Sequence, residues 1–134
     1  MGSLVWVLRV KIFCTVVFWA LPLLFCPTSW FVWVGMPEPR PMVFVRLLGA
    51  AYAALVVGYV SGLIRLRRGK DARNTVWVGI TSNGSASLIL FYFGITGAWE
   101  GWGIWAWISM WISALLTASI TLGLVVAGLF GGDR

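Results

Sequence analysis

Arg46, Glu100, Asn83, Ser113 and Thr117 are the residues of this sequence that could do polar work in an apolar setting, and Trp99 and Trp102 stand beside one of them. Arg46 interrupts "PMVFVRLLGA", an apolar run in which an arginine is expensive. A carboxylate would offset that cost through a charge-assisted pair. Glu38 is separated from it by two prolines, whereas Glu100 sits in "GAWEGWG", a short polar break between apolar runs. We therefore expect an Arg46–Glu100 pair under a lid of Trp99 and Trp102. The simpler alternative is that Arg46 snorkels to nearby headgroups.

Asn83 in "GITSNGSAS" is an amide deep inside an apolar run and is expected to find partners on a neighbouring helix. Ser113 and Thr117 lie one helical turn apart and offer two hydroxyls to the same purpose. Together these groups could line a track for a small neutral or anionic solute.

Catalysis asks for more than this. The chain has no histidine, no apolar run contains a carboxylate, and no base accompanies the serines and threonines. The expectation is a non-enzyme without a metal or resident cofactor, although the tryptophan-rich side could hold a bound lipid or quinone. A proton-coupled transporter also needs an ionisable group near mid-membrane. The sequence reading places none there.

The setting follows from composition. Of 134 residues, 60% are hydrophobic and only 10% charged, and mean hydropathy is +0.93. A water-soluble domain carries about 25% charged residues, so this chain belongs in a bilayer. Four apolar segments are expected to span, over residues 10–26, 42–66, 75–95 and 103–130, with Pro22 as a kink in the first. The first segment lacks the small residues of a signal-peptidase site and reads as a retained helix. "SWFVWVG", between the first two, is too short to span and reads as interfacial. The fold class is thus an all-α bundle of four transmembrane helices in a single domain.

A net charge of +6 suggests nucleic acid in a soluble protein but is better explained here by topology. Arg9, Lys11, Arg65, Arg67, Arg68, Lys70, Arg73 and Arg134 fall on one side of a four-span chain, and only Arg40 and Arg46 on the other. This predicts both termini and the 65–73 loop on the cytoplasmic side, in a bacterial inner membrane. Trp30, Trp33, Trp99, Trp102, Trp105 and Trp107 gather at the opposite side, where indoles suit the headgroup level. Cys14 and Cys26, about 18 Å apart on one helix, are expected to be reduced.

Small or weakly polar residues recur every four positions: Ala50, Ala54, Gly58 and Gly62 in the second segment, Thr75, Gly79, Asn83 and Ser87 in the third, and Ser109, Ser113, Thr117 and Thr121 in the fourth. Such ridges let helices approach in lipid. The first segment has none and is expected to pack peripherally. The first segment also lacks the glutamate of small multidrug-resistance transporters, and the third does not reproduce the fluoride-channel signature. "RLLGAAY", at 46–52, resembles the opening of the second helix in DoxX-type membrane proteins; the resemblance implies a four-helix architecture and no functional residue. The expected function is an accessory or assembly subunit, packed in the bilayer against itself or a larger complex. The alternative is a homo-oligomeric channel or carrier for a small solute.

Overall fold

A computed structural model describes residues 2–130, and these are all-helical, with no strand among them. In a bilayer core the backbone must satisfy its own hydrogen bonds, which an apolar run achieves as a helix. Four helices are long and apolar enough to cross: α1 (Gly2–Phe25), α3 (Met42–Arg67), α4 (Arg73–Ile95) and α5 (Ile104–Phe130). The short α2 (Thr28–Trp33) joins α1 to α3 and is too short to span. Arg134, counted above among the basic-side charges, lies outside the described residues.

The boundaries of α3, α4 and α5 agree with the apolar segments to within a few residues, but α1 does not. It starts at Gly2, eight residues before the expected edge, so Arg9 and Lys11 lie within the helix and not before it. The run Leu4–Leu8 supplies the extra apolar turns. No break occurs at Pro22. The helix widens to a π-helical stretch over Thr15–Ala20, and Pro22 then opens the final α-helical turns, where its missing N–H costs least. Pro27 follows one residue after the end of α1, and Pro41, extended at φ −80°, ψ 144°, caps the start of α3.

The chain forms two hairpins. In one, α1 lies along α3, with Trp19 stacked on Tyr52 (ring centroids 5.6 Å apart) and Gly49 buried against Leu23 and Leu24. In the other, α4 and α5 pack closely over their whole length. The two hairpins join at the end carrying the 65–73 loop, where Leu8, Cys14, Val76, Ile120 and Leu124 form a buried cluster from α1, α4 and α5. Helix α1 is therefore central at that end, not peripheral. At the tryptophan-rich end, the Gly103 N–H donates to the Gly35 carbonyl at 2.8 Å. A Cβ on either glycine would meet the other's backbone, so both positions require glycine.

The ridges have different fates. Gly79, Asn83 and Ser87 of α4 are buried, and so is Thr117 of α5; Ser87 donates to the Ala114 carbonyl at 3.4 Å. On α3 only Gly62 is buried, against Thr75, while Ala50, Ala54 and Gly58 face outward. Between their joined ends α3 and α4 separate, and a cleft of about 310 Å³ opens between them, floored by Leu48, Ala51, Leu55, Ser85 and Ile89.

Candidate functional site

Arg46 is half-buried, and its guanidinium serves the end of α1. Nη1 donates to the Leu23 carbonyl and Nη2 to the Cys26 carbonyl, each at 2.8 Å. The cause is local. The carbonyl of Leu23 would normally accept from the N–H four residues on, but that residue is Pro27, which has none. The rigid two-pronged donor set of arginine fits two carbonyls at a helix C-terminus, where the helix dipole also favours a cation.

The expected Arg46–Glu100 pair is not formed. Glu100 is exposed in the α4–α5 turn with its carboxylate folded over Gly97. Glu38 instead pairs with Arg40 at 2.5 Å, on the surface. Trp99 is buried, but its ring meets Trp111 edge-on at 5.3 Å and belongs to an aromatic group with Trp107 and Phe91. Trp102 is half-buried in the same turn, its backbone N–H donating to the Trp99 carbonyl at 3.2 Å. These indoles cover the α4–α5 hairpin, not Arg46.

The charge that matters lies near the start of the first apolar segment, where the sequence predicts a flanking residue. Lys11 is 1% exposed. It lies about 13 Å along α1 from Gly2, more than a third of the way through a helix long and apolar enough to span, so an ionisable group does lie within that helix's apolar body. Its Nζ stands 4.1 Å from the centroid of the Tyr59 ring, a cation–π contact. Among the described residues no carboxylate is within ion-pairing distance, and Nζ makes no hydrogen bond. On insertion scales a lysine at the centre of a spanning helix costs roughly 2.5–3.5 kcal/mol, an upper figure for Lys11. A desolvated cation–π contact returns about 2 kcal/mol. The contact alone does not close the gap.

Lys11 faces a small cavity of about 20 Å³ shared with Cys14, Tyr59, Asn83 and Thr117. That is room for one water-sized group. Several of the other polar groups around it are already engaged. Tyr59 and Ser82 share a hydrogen bond of 2.7 Å between their hydroxyls, and the Asn83 amide donates to Gly79 within its own helix at 2.8 Å and to Ser82 at 3.3 Å. Thr117 donates back to Ser113 at 2.8 Å, and Ser113 to Ser109 at 2.7 Å. Asn83 thus finds its partners on α4 and not on a neighbouring helix. Among the cavity's lining residues Lys11 is the charged donor, and its ammonium makes no hydrogen bond to the described residues.

The structure brings Asn83 and Thr117 together at this cavity. Ser113 sits one turn further along α5 outside it, and Arg46 is bound elsewhere, so the four do not form one track. The signal that could have found Lys11 is the apolar run "LVWVL" before it, which gives α1 turns enough to draw the lysine inward. Tyr59, its contact on α3, had no sequence signal of its own. Cys14 and Cys26 are both free thiols, Cys14 packed and buried. No protein-family model matches the chain, and neither a curated protein nor a solved structure matches it. The likeness of "RLLGAAY" to DoxX-type proteins is therefore supported by none of these comparisons.

Proposed function

We propose that this chain is a non-enzymatic membrane protein that binds an anionic solute or ligand inside the bilayer and holds or carries it there. One observation carries the reading: a buried lysine without a counter-charge among the described residues faces a cavity. An isolated buried ammonium is costly, and an anion in the cavity would convert that cost into attraction. The charge bias supports a cytoplasmic location for the termini and for the 65–73 loop, and on that reading the cavity lies in the inner half of the membrane. Titration calorimetry of the detergent-purified protein with acetate, nitrate and chloride tests the reading. Saturable binding that disappears in Lys11→Gln is expected, and binding unaltered by the substitution would sink it.

A second reading, an accessory subunit or homo-oligomer, rests on α3. Its outward face carries Ala50, Ala54 and Gly58, and a Cβ placed on Gly58 meets nothing within 4 Å. Small residues of this kind let a second helix approach closely in lipid. Mild-detergent purification followed by mass spectrometry decides it: a stoichiometric second subunit or a discrete oligomer supports this reading, and a monomer removes it.

A further inference from the structure

The cavity and the cleft share a wall. Tyr52, Leu55, Ser82 and Ala86 line both. The cleft starts where the cavity ends and runs toward the tryptophan-rich end along α3 (Leu55, Ala51, Leu48) and α4 (Ser82, Ser85, Ile89). Its lining is almost wholly apolar, and it opens between two helices that would both lie in the bilayer. A mainly apolar cleft beside a cavity that holds a single buried cation is complementary to a molecule with a charge at one end and a hydrocarbon chain behind it.

Resting on the anion-binding reading above, we infer that the ligand is a single-chain amphiphile with a carboxylate head, of the long-chain fatty-acid class, entering laterally from the membrane between α3 and α4. Three features select it. Lys11 is the one cation lining the cavity, which matches a monoanion and leaves a phosphate dianion under-compensated. The space at Nζ admits a water-sized group, which suits a carboxylate oxygen and excludes a glycerophosphate headgroup. The cleft beyond accommodates one chain on Leu48, Ala51, Leu55 and Ile89, whose apolar surface gains nothing from a short water-soluble anion. Tyr59, bonded to Ser82 across α3 and α4, holds its ring against the ammonium.

Trp19 provides a reporter. It lines the cavity, stacks on Tyr52 and stands two helical turns from Lys11, about 12 Å along α1. Protein in phosphatidylcholine nanodiscs is titrated with 9,10-dibromostearate, whose mid-chain bromines quench tryptophan. The Trp19 component is obtained by difference against Trp19→Phe. Saturable quenching is expected, with affinity falling at least tenfold in Lys11→Met. Dodecanoate should compete at least tenfold better than acetate, and dodecylamine should not compete. Ala51→Trp, at an exposed position in the cleft and away from the cavity, should also weaken dibromostearate at least tenfold while leaving acetate binding intact. This variant keeps the test open should Lys11→Met fail to fold. If acetate competes as well as dodecanoate, or Ala51→Trp binds dibromostearate normally, the amphiphile is wrong although the anion site stands. If Lys11→Met is folded and binds every anion as the parent does, both readings fall.

Discussion

Two cations enter the apolar body of this protein, and they are treated in opposite ways. Arg46 lies near one end of its helix and spends its donors on two carbonyls that the backbone of α1 cannot satisfy. Lys11 lies deeper, almost fully covered, with an aromatic face and no acceptor among the described residues. The arginine closes a structural gap created by a proline. The lysine leaves one open. A charge embedded in an apolar protein is thus not by itself a sign of function, and the useful question is whether its hydrogen-bonding capacity is already used.

The sharpest way to break this contrast is to remove each charge and read stability. Arg46→Met should cost about 3 kcal/mol, because two hydrogen bonds from a charged donor are lost at roughly 1.5 kcal/mol each and two carbonyls are left bare. Thermal unfolding in detergent would register it as the largest loss of any single substitution here. Arg46→Lys should not rescue it, since one ammonium cannot reproduce two prongs at fixed spacing. Full stability in Arg46→Met would mean that water serves those carbonyls and that the arginine is redundant.

Lys11→Met should move the other way. Exchanging an uncompensated buried charge for an apolar side chain of similar length is expected to be neutral or stabilising by about 1 kcal/mol, while ligand binding is lost. That opposition, stability kept and binding removed, is what separates a binding residue from a packing one. A large destabilisation instead would show that Lys11 has a structural partner and would place it beside Arg46.

Tyr59→Phe is a smaller and more specific probe. The ring and its contact with Lys11 remain, and only the 2.7 Å bond to Ser82 is lost, at about 1 kcal/mol. Because that bond ties α3 to α4 beside the cleft, a looser joint is expected to raise the rate of ligand entry more than it changes affinity. Stopped-flow quenching would report the difference.

How much of this was legible in the residues divides along the same line. Hydropathy finds the four spans because lipid imposes length and apolarity on any spanning helix, and the four-residue ridges on α4 and α5 correctly mark where those helices meet. The ridge on α3 follows the same pattern yet faces outward, since spacing identifies a face without saying what it meets. Lys11 was misjudged because charges at the edge of an apolar run usually flank it. Whether such a charge stays outside depends on how many turns precede it and on whether a neighbour such as Tyr59 can cover it. Those are long-range facts, separated by 48 positions in the chain. The Arg46 site had a local clue, Pro27, but its meaning depends on α3 lying against the end of α1.

The residue best placed to test the treatment of Arg46 is the one that does not touch it. Glu100 is the carboxylate that the sequence offered as its partner, and the two are reasonable mates on charge and side of the membrane alone. In the structure Glu100 lies exposed over Gly97 in the α4–α5 turn, while both terminal nitrogens of Arg46 point into the α1 carbonyls. An exposed charge without a partner contributes little, so Glu100→Gln should shift stability by less than about 0.5 kcal/mol. The double variant with Arg46→Met should be additive to within about 0.5 kcal/mol, as expected for groups without a shared contact. A coupling above about 1 kcal/mol in that cycle would restore the ion pair, and Arg46 would then answer to the second hairpin instead of the end of α1.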